Sequence, residues 1–346
     1  MIDRFLRACR REPVDATPVW FMRQAGRALP EYRAIRERAS LAEITRDAAL
    51  CAEVTLQPVR RLGVDAAILF ADITTPLAGI GVQLEVVDGV GPVIQQPIRT
   101  VEDVSRLRAF EPRAAVGPLL EAIRLVRGAS EVPLIGFAGA PFTLAWYLVE
   151  GRGSQDASRL KTLLHAEPAT FERLMADLVE MTIAYLRAQV AAGAQAVQLF
   201  DTWVGTLSPF DYARSVAPHM RRLFAGLVDL EVPTIHFGTG ASGLLTRMAE
   251  TGGDVIGLDW RIALDDGWAL NPDRAVQGNL DPALLLGPFD AAAEQTRWIL
   301  ARAGGRPGHV FNLGHGVLPD TDPDDLRRLV DLVHEASIPS IPGSPR

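Results

Sequence analysis

Apolar positions in this chain fall into short unbroken runs, separated by longer stretches in which they recur every three or four residues. The short runs cover residues 19–22, 66–70, 134–137, 196–200, 234–237, 255–258, 275–278 and 310–313. Continuous rather than alternating hydrophobicity is what parallel strands require when both faces are covered. The stretches between them read as amphipathic helices. In 168–192, Phe171, Leu174, Leu178, Met181 and Tyr185 share one face, and Gly193 ends the element. Ser208-Pro209-Phe210-Asp211 combines a cap, a proline at the first helical position and an acid in the first turn. Asp281-Pro282 and Asp322-Pro323 start helices in the same way. Eight alternating strand–helix units predict an α/β fold, a single (β/α)8 barrel (TIM barrel), rather than a doubly wound sheet. Within 79–97, the segments 82–87 and 92–94 flank Asp88-Gly89, which predicts a β-hairpin inserted after the second strand. Residues 1–338 are expected to form the barrel and 339–346 a frayed C-terminal tail.

The first run stops at a cation. Arg23, Arg27, Arg33 and Arg36 follow within fourteen residues, and Gly26 and Pro30 break any helix between the first of them. Guanidinium groups on a loop at a strand end present forks to carboxylates or phosphates. The plain alternative is a solvated loop whose arginines serve solubility. Polar residues also follow other runs: Asp72, Asp201, Thr202, Asp259, Asn279 and His315. In a barrel these positions face the C-terminal mouth, where active sites are built. Asp72 directly follows the apolar segment 66–71, so its carboxylate would be partly desolvated and in need of cationic or N–H partners. His315 is flanked by Gly314 and Gly316, which permit close backbone approach. Asp201, Asp259 and Asn279 would serve equally well as caps. Tyr147 lies six residues after Pro141 and leans over the mouth if the helix after the third strand starts at that proline.

Composition narrows the chemistry. With 346 residues, 48% of them hydrophobic, the chain has ample material for a large core. A net charge of −7 argues against nucleic acid, so arginines gathered in an acidic protein suggest a small anionic ligand. No apolar run is long enough to span a membrane, and the N-terminus lacks a signal-peptide core. Cys9 and Cys51 are far apart with no CxxC, which points to a reducing compartment and a cytoplasmic location. Lys161 is the sole lysine and sits in a helix-like stretch away from any strand end, which argues against Schiff-base and pyridoxal-phosphate chemistry. His219, His236, His309 and His315 show no paired spacing, so no metal is expected. One rival feature remains. Gly238-Thr239-Gly240-Ala241-Ser242-Gly243 is a literal GxGxxG after a strand, and Asp259 ends the next strand where a ribose-binding acid would sit. It keeps a nicotinamide-dependent oxidoreductase open, although four strand–helix units precede the motif.

Longer motifs add a resemblance. Pro18-Val19-Trp20-Phe21-Met22-Arg23-Gln24-Ala25-Gly26-Arg27, followed by Pro30-Glu31-Tyr32, resembles the first signature of the uroporphyrinogen decarboxylase family. Gly136-Phe137-Ala138-Gly139-Ala140-Pro141-Phe142-Thr143-Leu144, then Tyr147 and Glu150-Gly151, resembles the second. Gly257-Leu258-Asp259-Trp260, Gln277-Gly278-Asn279-Leu280-Asp281-Pro282 and Asn312-Leu313-Gly314-His315-Gly316 are similar to further family segments, in the family's order, over Asp3 to Ala336. The resemblance implies a homodimeric (β/α)8 barrel that works without cofactor or metal in heme and tetrapyrrole synthesis. It implies loss of CO2 from the four acetates of uroporphyrinogen III to give coproporphyrinogen III. It assigns catalytic roles to Asp72, Arg23, Arg36, Tyr147 and His315. Substrate contacts then fall on Arg23, Gln24, Ala25, Gly26, Arg27, Arg36, Asp72, Tyr147, Thr202 and His315. Thr202 stands where many members carry Ser and keeps the hydroxyl. Tyr32 stands where some have Phe, and Ala28 where many have Tyr or a larger residue; neither is expected to affect the chemistry. Related corrinoid-dependent methyltransferases build a zinc site on HxC plus a later Cys. Here the segment is His236-Phe237-Gly238 and no Cys follows Cys51, which tells against that activity. The resemblance also turns 238–243 into a loop at the barrel rim.

The implied substrate carries eight carboxylates around a flexible ring with four pyrrole N–H groups. A fixed negative charge under the pyrroles and cations near the carboxylates would suit its decarboxylation. By the resemblance, Asp72 would supply the first and Arg23, Arg27 and Arg36 the second, with Tyr147, Thr202 and His315 as neutral or switchable hydrogen-bonding groups. An unperturbed arginine is a poor acid. The proton donor is therefore open between a bound water, His315 and an arginine perturbed by its site.

Overall fold

The computed structural model describes residues 2–87, 91–152 and 157–337. The expected hairpin turn at Asp88-Gly89 and the expected tail lie outside the described residues. Seven parallel strands form a curled sheet: β1 (Ala67–Ile68), β4 (Leu134–Gly139), β5 (Ala196–Asp201), β6 (Thr234–Gly238), β7 (Val255–Gly257), β8 (Ala275–Gln277) and β9 (His309–Val310), in that order. The antiparallel hairpin β2 (Leu84–Val87) and β3 (Gly91–Ile94) follows β1, as the apolar pattern of 79–97 predicts. The amide of Ile94 donates to the Gly151 carbonyl at 2.7 Å, which docks the hairpin on the end of the helix Pro141–Glu150.

The eighth stave is residues 18–20. The amide of Phe311 donates to the Pro18 carbonyl at 2.9 Å, and the amide of Trp20 donates to the Phe311 carbonyl at 3.3 Å. On the other side, the amide of Asp65 donates to the Val19 carbonyl at 2.7 Å. The sheet is thereby joined end to end as a (β/α)8 barrel. The full strand expected at 19–22 is nevertheless reduced to a single bridge between Val19 and Phe311. Its amides find side-chain acceptors instead of a ladder. Val19 donates to Asp65 Oδ2 at 2.7 Å, Phe21 to Gln24 Oε1 at 3.0 Å and Met22 to Asn312 Oδ1 at 3.1 Å. Likewise the strand expected at 310–313 contracts to β9, with lone bridges at Phe311 and Leu313.

Inside the barrel, Trp20 Nε1 donates to Gln277 Oε1 and Gln277 Nε2 donates to Gln198 Oε1, both at 3.0 Å, so three strands share one buried polar chain. Toward the mouth, Phe137, Phe200 and Phe237 from β4, β5 and β6 meet edge to face, with centroids 5.5 and 6.2 Å apart. They make an apolar floor under the strand ends. The helix Pro168–Ala192 occupies its predicted span, and Gly193 follows it at φ +125°. Among the described residues no helix is long and apolar enough to cross a membrane.

Candidate active site

Arg23 is the first residue past the Val19 bridge to leave the barrel wall. Its φ is +60°, a left-handed conformation that side-chain-bearing residues seldom adopt and that clusters at functional sites. Two glycines make room for it. A Cβ on Gly316 would sit 2.5 Å from Arg23 Cδ, and one on Gly26 would sit 2.9 Å from the Arg23 carbonyl oxygen. The loop then runs past exposed Arg27 into the helix Pro30–Arg36. Arg33 Nη1 donates to the carbonyls of Arg27 and Ala28 at 2.8 and 2.9 Å and so ties the loop to that helix. Arg36, in the helix's last turn, donates to the Ala39 carbonyl at 2.9 Å.

Gln24 behaves otherwise. Its side chain is fully buried, with Oε1 accepting from the Phe21 amide and Nε2 donating to the Ala66 carbonyl at 3.0 Å. Both ends of the side chain are spent on joining the loop to the barrel wall, which leaves its backbone as the part that lies in the loop. Ala25 and Gly26 are half-buried in the same loop.

Asp72 lies four residues past β1 and is half-buried. Its Oδ1 accepts from the Thr74 amide at 2.8 Å and from Thr74 Oγ1 at 2.5 Å. Oδ2 has no hydrogen-bond partner among the described residues. Tyr147, on the helix Pro141–Glu150, packs edge-on against Trp203, which stacks on Trp146 at 4.6 Å. Burial raises the Tyr147 pKa; the Trp203 indole and Arg23 oppose that shift, and the Asp72 charge adds to it. Arg23, Asp72, Tyr147 and Trp203 thus share one electrostatic neighbourhood. His315 joins it through Arg23. Burial, then the Arg23 and Arg261 charges, lower its pKa to about 4 against the opposing pull of Asp259. The imidazole is therefore neutral at pH 7, a hydrogen-bonding group rather than a stored acid. Thr202 follows Asp201 at the end of β5 and is half-buried.

The other strand-end acids are structural. Asp201 is fully buried, accepts from Thr143 Oγ1 at 3.0 Å and lies 3.3 Å from His236 Nε2. Asp259 accepts from the Gly240 amide at 2.6 Å and from the Arg261 amide and guanidinium at 3.0 and 2.6 Å. It ties down the glycine loop, with Oδ2 taken by the Gly240 amide and the Arg261 guanidinium and Oδ1 by the Arg261 amide. Asn279 donates to the carbonyls of Asp259 and Ile262. Among the described residues no group of three His, Cys, Asp or Glu side chains is placed to hold a metal ion. A groove of about 660 Å³, lined by Cys9, Arg10, Phe224 and Arg274, opens at the N-terminal ends of the strands, away from these residues. Thr74 and Trp203 escaped the sequence reading. The Asp72-Ile73-Thr74 spacing of an Asx-type turn was the available signal for the first; nothing local marks the second.

Barrel and mouth together define a (β/α)8 enzyme that presents cations, one half-free carboxylate and neutral hydrogen-bonding groups over an aromatic floor. The chain belongs to the uroporphyrinogen decarboxylase family, whose model matches residues 1–336. It is 53% identical over 348 residues to the uroporphyrinogen decarboxylase of Sorangium cellulosum, covering 100% of this chain and 99% of the relative. It is also 53% identical over 335 residues to that of Thermus thermophilus, covering 97% of this chain and 98% of the relative. Among solved structures, a methyltransferase from Methanosarcina mazei superposes with a TM-score of 0.80 at 22% identity, covering 96% of this chain and 97% of that one. That likeness speaks to the fold alone.

Proposed function

We infer that this chain is a uroporphyrinogen decarboxylase, converting the four acetates of uroporphyrinogen III to methyls and giving coproporphyrinogen III and CO2. Full-length family membership carries the reading. The mouth supports it, because a carboxylate with one open oxygen stands beside an arginine loop above an apolar floor. Direct loss of CO2 from an acetate would leave an unstabilised carbanion. Protonation of the adjacent pyrrole carbon gives a cationic iminium. Breaking the C–C bond to CO2 then sends its electron pair into that cation and leaves an exocyclic methylene. A second proton makes the methyl, the ring proton departs, and one proton is consumed overall. In this reading Asp72 accepts pyrrole N–H bonds and stabilises the cation, while Arg23, Arg27 and Arg36 grip carboxylates in fork geometry. Tyr147, Thr202 and neutral His315 orient the ring. A lysine-free mouth carries the electron sink on the substrate itself.

The test is anaerobic, reducing incubation with uroporphyrinogen, with products separated by carboxylate number. Stepwise passage from eight carboxylates to four is expected, and unchanged substrate would sink the assignment. In Asp72→Asn, turnover should fall about a hundredfold or more, as for loss of one preorganised charge; activity within a few-fold of wild type would remove Asp72 from this role. The same reading takes the protein as a cytoplasmic homodimer. Sedimentation equilibrium should return twice the chain mass.

A further inference from the structure

We propose that Thr74 is a positioning residue, whose amide and hydroxyl clamp one oxygen of Asp72 so that the other is presented to the substrate. The proposal rests on the reading of Asp72 as the carboxylate beneath the pyrroles. Thr74 is fully buried, and both of its donors go to the same atom, Asp72 Oδ1, at 2.8 Å from nitrogen and 2.5 Å from oxygen. The next residue fixes the main chain of the acid. Asp72 donates its amide to Thr75 Oγ1 at 3.1 Å, and the Thr75 amide donates to the Asp72 carbonyl at 3.0 Å. The chain then passes into the 3-10 turn Thr75–Ile80, with Pro76 at its start.

A free aspartate rotates about two side-chain torsions, and an acid meant to face a developing cation must have that freedom removed beforehand. A hydroxyl on a carboxylate makes a short, charge-assisted bond. Because Thr is β-branched, its side chain is stiff and aims the hydroxyl in one direction. The result is an asymmetric carboxylate: Oδ1 is saturated from below, and Oδ2 is without a partner among the described residues.

A buried threonine could instead merely fill space, and two substitutions separate the cases. Thr74→Val keeps the shape and removes the hydroxyl. Thr74→Ser keeps the hydroxyl and removes the methyl. If the clamp positions Asp72, Thr74→Val lowers kcat about tenfold or more while KM stays within about threefold, on the scale of one hydrogen bond to a charged group. Thr74→Ser then stays near the wild-type kcat. A wild-type kcat in Thr74→Val, or a kcat in Thr74→Ser as low as in Thr74→Val, overturns the proposal. The double variant closes the argument. On an Asp72→Asn background, adding Thr74→Val should change kcat less than about twofold, since residues acting as one unit are not additive. A further tenfold drop would mean that the hydroxyl acts elsewhere. Should Asp72→Asn itself prove harmless, the reading of Asp72 falls and this proposal with it. Should Asp72→Asn be severe and Thr74→Val harmless, only the clamp falls.

Discussion

Arg23 stands at the change from apolar wall to cationic loop, held left-handed with its stem against Gly316. Its neighbour Arg27 is exposed and free to reach a ligand from the rim. Arg27→Lys keeps the charge but loses the planar fork. Weaker binding of uroporphyrinogen is expected, by about 1.5–3 kcal/mol; equal affinity in a direct titration would refute the fork. Two histidines set a pH dependence. His315 and His309 both have pKa values lowered to about 4, chiefly by burial. The unfolded chain, with histidines near 6.5, binds more protons between those limits. The contribution of these two histidines to stability is therefore complete above about pH 6.5 and is lost as pH falls toward 4. The share from His309 is up to about 3 kcal/mol. Denaturant midpoints from pH 6.5 to 4 should fall less steeply in His309→Gln, and an unchanged slope would remove His309 as a cause.

At the scale of elements, the barrel is closed less by a strand than by a carboxylate. Asp65 Oδ2 accepts the Val19 amide and lies 2.7 Å from His334 Nε2 on the C-terminal helix Pro323–Ser337, while Oδ1 pairs with Arg4 at 3.3 Å. One nearly buried acid thus ties together the first stave, the N-terminal helix Arg4–Cys9 and the last helix. Asp65→Ala would orphan the buried Val19 amide and remove a shared partner of Arg4 and His334. A loss of about 3–5 kcal/mol is expected. Asp15→Ala, at the exposed end of the same Arg4 pair, should cost less than about 1 kcal/mol. Urea unfolding of the two variants checks the contrast, and similar midpoints would deny the latch. The hydrophobic runs announced the strands of this barrel, yet the first was over-read. Period and composition report which residues want burial, not whether an amide will find a carbonyl or a side chain.

For the whole molecule, strand order decides between rival ligands. The order runs without reversal from β1 to β9 and returns through residues 18–20. A dinucleotide needs the crevice where an open sheet reverses its order. The loop 238–243 has the glycines for that role, but its acid, Asp259, is bonded back onto Gly240 and Arg261. Titration calorimetry with NAD or NADP at millimolar concentration should therefore give no saturable heat. Binding that vanished in Gly240→Val would overturn the barrel-mouth reading of the site.

The amino-acid sequence by itself determined the strand and helix succession, the caps at Ser208, Asp281 and Asp322, and the presence of an arginine loop and a strand-end carboxylate. These follow from periodicity and from chemistry within a few residues. Its long motifs also carried the family. Tertiary structure alone decided the rest. Val19 meets Asp65 across 46 residues and Met22 meets Asn312 across 290, and no local pattern encodes such pairings. The same long-range packing turned Gln24 inward, because Ala66 lies behind it. It gave Asp259 a structural task and buried His315 beside Arg23 and Arg261, and burial first and those charges second keep the imidazole neutral. Which polar group faces the mouth and which serves the wall depends on what the opposite side of the barrel offers, and that is settled only when the barrel closes.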